Sequence, residues 1–156
     1  MILSAYTLSY GNWTVIPDHW KMVFDDMKAN GFDAVDLTFC ESEKRYSMRT
    51  FEMQVEMAHR CGLRVFVVPS RIGGRFAGAP FMSGFWLAAH PQCQVPEDPK
   101  TACLECAEYL EWSRGFIENL VRTFEVDGVI WDEPKAVALV SHHPETIAKF
   151  GPNPTP

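Results

Sequence analysis

No window of this 156-residue chain reaches the roughly 18–20 uninterrupted apolar residues that a membrane span needs, because Asp, Glu, Lys or Arg breaks most hydrophobic runs. The pattern therefore predicts a protein with no membrane partner. No segment gathers five or more Lys and Arg, and 14 basic residues stand against 20 acidic ones for a formal charge of −6, so nucleic acid is not an expected partner. The opening MILSAYTLSYGNW has neither a basic start nor a long apolar stretch leading to a small-residue cleavage site, which predicts a cytoplasmic location. The five cysteines, Cys40, Cys61, Cys93, Cys103 and Cys106, are an odd number in an ordinary-sized domain. That count suits free thiols in a reducing compartment better than a disulfide framework.

What is present is a composition of 47% hydrophobic, 13% aromatic and 22% charged residues, enough for one ordinary domain with a core. Short strand-like runs alternate four times with helix-like stretches, the mark of repeated βα units. The strand-like runs are Ile2 to Ser9, Phe32 to Cys40, Leu63 to Val68 and Val129 to Asp132. Between them the spacing predicts a helix opened by Pro17 and Asp18 with a core stripe of Trp20, Val23, Phe24 and Met27. A second runs from Ser47 to Cys61 on Phe51, Val55 and Ala58, and a third from Leu104 to Glu125 on Leu110, Ile117, Leu120, Val121 and Phe124. Gly31 and Gly62 close the first two. Glu41 to Tyr46 reads as a polar loop, and Ser70 to Ala102 as a long loop without either periodicity.

The fold class this predicts is α/β, built of parallel (β/α) units, half of a TIM-type barrel with about four strands and three to four helices. A doubly wound sheet is the competing architecture, but Leu8-Ser9-Tyr10-Gly11-Asn12 is not the phosphate-binding glycine turn that usually follows its first strand. Residues 1–136 form the partial barrel domain, with the long loop at 70–102. Residues 137–156 form a polar tail or the start of a further unit.

In parallel βα architectures ligands lie outside the carboxyl ends of the strands. That rule selects Tyr10, Asn12, Trp13, Thr38, Glu41, Arg71, Trp131, Asp132 and Glu133. Aromatic faces stack on sugar rings and carboxylates move protons, so this rim fits carbohydrate recognition and glycosidic cleavage. Asp132 and Glu133 are adjacent and point to opposite faces of a strand. A catalytic pair therefore needs a second carboxyl about 5–9 Å away, for which Glu41 is the candidate. His90, Cys93, Cys103 and Cys106 spell H-x2-C-x9-C-x2-C, a spacing that can hold zinc, yet the CxxC leads straight into a helix where thiols pack as core. No metal or other cofactor is expected. His142 and His143 lie in a polar stretch and read as solvated side chains.

Several segments share an order with a known family. They are Asp36-Leu37-Thr38-Phe39-Cys40-Glu41, then Pro69-Ser70-Arg71-Ile72-Gly73-Gly74 through Phe76-Ala77-Gly78, then His90-Pro91, Cys103, Tyr109, and Asp127-Gly128-Val129-Ile130-Trp131-Asp132-Glu133-Pro134. In that order they resemble the amino-terminal half of a (β/α)8-barrel glycoside hydrolase of the glycoside-hydrolase-like TIM-barrel family, over about Tyr6 to Ala136. The resemblance implies a retaining or inverting glycosidase that hydrolyses O-glycosyl bonds with a strand-four carboxylate. Asp132 then serves as nucleophile or Glu133 as acid/base, and Asp132 is favoured because Asp and not Asn precedes Glu133. Glu41 completes the catalytic set, and Tyr10, Trp13, Arg71, His90 and Trp131 bind the sugar. Four strands of such a barrel are absent, which implies either a homodimer of halves or a missing carboxyl-terminal half. Two alternatives stay open: a non-catalytic carbohydrate-binding or degenerate barrel module, and a zinc-stabilised domain.

Overall fold

A computed structural model of the chain describes residues 1–7, 16–74, 84–132 and 141–154. Among them the protein is a mixed α/β structure of six strands and six α-helices, falling into two compact units. The first comprises residues 1–70 and 120–131; the second comprises 71–119 and 132–156.

The first unit is a parallel sheet backed by helices. Its strands are β1 (Ser4–Thr7), β2 (Ala34–Phe39), β3 (Arg64–Pro69) and β6 (Gly128–Val129), hydrogen-bonded in the order β1-β2-β3-β6 and all parallel. Each strand pairs with the strand of this sheet that precedes it along the chain. Helices α1 (Pro17–Ala29) and α3 (Met48–Arg60) pack side by side. Alternation puts Val35, Leu37 and Phe39 of β2 on one face with Val65 and Val67 of β3, and all five are buried. This face meets the helices, because the Phe39 ring packs at 4.7 Å against Phe51 of α3 and at 5.7 Å against Phe124, and those two meet at 4.9 Å.

The proline and acid that open α1 do so as expected, with Pro17 at its first position and Asp18 in its first turn. Both long helices of this unit end in the same six-residue closure. The amide of Leu63 donates to the Ala58 carbonyl (3.0 Å) and that of Gly62 to His59 (2.9 Å), with Gly62 at φ 77°, where a side chain would be strained. Gly31 closes α1 in the same way.

The stripes differ from expectation in phase. Trp20, Phe24 and Met27 are buried but Val23 is 47% exposed, since the helix face is narrower than the sequence spacing suggested. In α5 (Ala107–Thr123) the buried positions are Tyr109, Phe116 and Leu120, followed by Phe124, whereas Leu110 and Val121 are exposed. The sequence carries two apolar rows about 100° apart on this helix, and the row with the larger rings is the one buried. Glu41–Tyr46 is not a loop but a short helix, α2.

The second unit is built around an antiparallel pair of strands. The described residues of the expected long loop, 70–74 and 84–102, are not loop throughout: they contain single 3-10 turns at Ile72–Gly74 and Pro91–Cys93, helix α4 (Phe85–Ala89), and the hairpin of β4 (Gln94–Val95) with β5 (Asp98–Ala102). A five-residue helix is too short to show a 3.6-residue period, and DPKTA shows no alternation because its outer positions carry proline and lysine. Its core gathers Leu87, Cys93, Val95, Ala102, Cys103, Cys106 and Tyr109. Beyond residue 140 the chain forms α6 (Pro144–Phe150), capped by His143. His143 is not a solvated side chain: it is buried, its Nε2 lies 2.6 Å from the Gln92 carbonyl, and its Nδ1 accepts the Glu145 amide at 3.3 Å. His142 is exposed and pairs with Glu97 at 2.6 Å.

Candidate functional site

In the first unit the carboxyl end of β2 leads directly into α2 through Cys40. Glu43, in the first turn of α2, is buried and turns back so that its Oε2 accepts the Cys40 amide (2.9 Å) and the Cys40 thiol (2.6 Å). Burial, then the Glu43 charge, push the Cys40 thiol up to about 11. This thiol is therefore a protonated cap and no nucleophile at neutral pH. Glu41, the first residue of α2, is half-buried at the same strand end. The capping carboxylate of this loop is thus Glu43, a residue that sequence reasoning passed over.

At the carboxyl end of β6, the Ile130 amide donates to the Val67 carbonyl at 2.9 Å and extends the pairing by one residue. Trp131 follows, 49% exposed and so not a core residue. Asp132 is next along the chain and half-buried. Tyr10, Asn12, Trp13 and Glu133 lie outside the described residues.

The sheet face opposite the helices carries Ser4, Asp36, Thr38, Phe66 and Val68 by alternation and register. Asp36 is buried there and accepts the Ser4 hydroxyl at 3.1 Å. Burial raises its pKa, with the Ser4 hydrogen bond working the other way. Its signal was an Asp in the middle of the otherwise apolar run AVDLTF.

Arg71 and His90, like Asp132, belong to the second unit. Arg71, the residue after Ser70, is half-buried with φ 55°, a left-handed conformation rare for a residue with a side chain. Its carbonyl accepts the Gly74 amide at 3.1 Å. His90 is held in an aromatic stack: its ring lies 4.0 Å from Trp86, nearly parallel, and Trp86 lies 4.6 Å from Trp112. Its Nδ1 is 2.7 Å from the Trp86 carbonyl, and its Nε2 faces Glu108 at 3.6 Å. These partners hold the imidazole in place within its own unit. Of the zinc-spaced set, Cys93 and Cys106 meet at 2.9 Å, while Cys103 turns to Thr146 at 3.3 Å. Among the described residues no group of three or more His, Cys, Asp or Glu is arranged to hold a metal ion.

A cleft of about 500 Å³ opens in the first unit between Glu52, Val55, Glu56, His59 and Arg60 of α3 and residues 123–125. It lies beside the amino ends of β3 and β6 and includes none of the predicted site residues. At its margin Asp127 ties the strand starts together: its Oδ2 accepts the Val65 amide (2.7 Å) and contacts His59 Nε2 (3.0 Å). Burial acts to raise the Asp127 pKa, but the Val65 and His59 hydrogen bonds and the Arg64 charge outweigh it and hold the carboxyl below its ordinary value. No helix among the described residues is long and apolar enough to cross a membrane. No protein-family model matches the chain, and no curated protein is significantly similar to it.

Proposed function

We propose that this chain is a glycoside-hydrolase-like half barrel that acts on a carbohydrate at the carboxyl ends of its parallel strands. The observation that supports it most is the uninterrupted strand order β1-β2-β3-β6, all parallel, with Glu41 just after β2 and Trp131 and Asp132 just after β6. A doubly wound sheet reverses its strand order at the ligand site, whereas a barrel adds each strand beside the last. The identity of the rim residues adds to this: a half-buried carboxylate follows each of two strands, and an exposed indole stands beside one of them.

In this reading one carboxyl protonates the glycosidic oxygen as the bond to the anomeric carbon breaks. The other attacks that carbon or takes a proton from the attacking water. As the resemblance implies, the strand-four carboxylate Asp132 takes the second role and Glu41 the first, while Trp131 stacks on the sugar. The remaining strands come from a second copy or from a carboxyl-terminal half.

The test is hydrolysis of a panel of aryl glycosides and oligosaccharides. Asp132→Asn and Glu41→Gln should each lower turnover by about 10²–10⁴-fold with sugar binding retained. Wild-type protein that neither binds nor cleaves any of the panel, or variants as active as wild type, would overturn the proposal. Binding without turnover in the wild type would make the chain a carbohydrate-binding module.

A further inference from the structure

The second unit carries a pair of thiols whose arrangement has no part in carbohydrate chemistry. Cys93 ends a 3-10 turn just before β4, and Cys106 immediately precedes α5, thirteen residues later. Both are buried, both are free thiols, and their sulfurs lie 2.9 Å apart. Two thiolates on one tetrahedral zinc stand about 3.8 Å apart, as Zn–S bonds of about 2.3 Å require, so this pair is drawn closer than a shared metal permits. It needs to close by less than an ångström to reach a disulfide bond of about 2.0 Å.

Two further observations point the same way. Cys103, the third cysteine of this core, is turned away: its sulfur meets the Thr146 hydroxyl at 3.3 Å and Glu105 at 3.7 Å, while its backbone amide is fixed to the Cys93 carbonyl at 2.8 Å. The core itself is thin. Of its seven buried side chains three are cysteine and one is alanine, and small units with so little aliphatic surface are the ones that crosslinks stabilise.

We propose that Cys93 and Cys106 are an oxidative modification site, closing to an intramolecular disulfide that ties the β4–β5 hairpin to the start of α5. The oxidant is a small-molecule disulfide such as glutathione disulfide. One protein thiol gives up its proton and attacks the disulfide, expelling a glutathione thiolate and forming a mixed disulfide. The second protein thiolate attacks the protein sulfur of that bond and expels the second glutathione. Two protein thiols are oxidised by two electrons, glutathione disulfide is reduced to two thiols, and these take up both protons. Burial, then Cys106 and Glu108 beside it, raise the Cys93 thiol well above its usual range, so the exchange belongs to the folding chain and the closed bond is shielded afterwards.

The full chain is refolded in mixtures of reduced and oxidised glutathione, quenched by alkylation, digested and weighed. The expected product is one Cys93–Cys106 crosslink, lighter by two hydrogens, with Cys40, Cys61 and Cys103 alkylated. It should melt several degrees above the reduced protein, and that gain should vanish in Cys93→Ser and Cys106→Ser but persist in Cys103→Ser. Five alkylated thiols at every glutathione ratio would overturn the proposal, as would crosslinks shared with Cys103 or an unchanged melting temperature after crosslinking.

Discussion

Tyr109 shows how much a single polar atom can carry in the second unit. Its ring is buried and its hydroxyl donates to the Ile72 carbonyl at 3.0 Å. Tyr109→Phe keeps the ring but leaves that carbonyl without its donor, so stability measured by urea unfolding should drop by about 1–3 kcal/mol. A loss below a few tenths would mean that the bond contributes nothing. Asp127 makes a pH-dependent case in the first unit. Its carboxyl is held below the ordinary value when folded, so its contribution is present above the unfolded value near pH 4 and lost as pH falls through the folded one. Asp127→Asn should therefore be less stable than wild type to urea unfolding at pH 6, by about 1 kcal/mol for so exposed a group, and the two should converge in acid. A difference that persists unchanged at pH 2 would contradict this. At this scale the sequence was partly legible. Asp127 opens the last of the family-like segments, but a motif does not reveal that its carboxylate will cap Val65 sixty-two positions away.

Among the elements, α3 is the one most completely written in the chain. Phe51, Val55 and Ala58 are buried as their spacing predicts, and Gly62 ends the helix as a left-handed residue. Phe51 fills the space between Phe39 and Phe124, so Phe51→Ala should cost about 3–5 kcal/mol in equilibrium unfolding. The start of α3 gives an opposite expectation. Ser47 occupies the capping position, yet its hydroxyl is buried without a hydrogen-bond partner among the described residues. Ser47→Ala should thus stay within about 0.5 kcal/mol of wild type, in place of the ~1 kcal/mol lost at a working cap. Elements that sequence periodicity missed share one physical property, which is brevity. The helices α2 and α4 and the hairpin strands span two to six residues, and their stability comes from partners such as the Glu43–Cys40 contact and not from an amphipathic stripe. In α5 the period was right and the stripe was right in part: Leu120 and Phe124 are buried as expected, but Leu110 and Val121 lie on a second apolar row that only packing could decide against.

For the whole molecule, the parallel sheet is the feature that composition and alternation predicted and the described residues contain. The candidate site was legible only as positions after strand ends. Glu41, Trp131 and Asp132 sit there, whereas Asp36 and Glu43 acquire their character from burial, which no strand-end rule reports. Among the described residues the four-stranded parallel sheet leaves β1 and β6 as edges, and its face opposite the helices holds a half-exposed Phe66 beside Asp36. Such edges and faces are ordinarily closed by further strands. The most direct test of a half barrel is the mass of the purified chain in solution by light scattering, read together with binding of a hydrophobic dye. A dimer near twice 17.7 kDa that leaves the dye dark is expected, with two halves closing one barrel. A compact monomer that also ignores the dye would show a sheet complete in itself, and would contradict the half-barrel reading and the sugar site built on it.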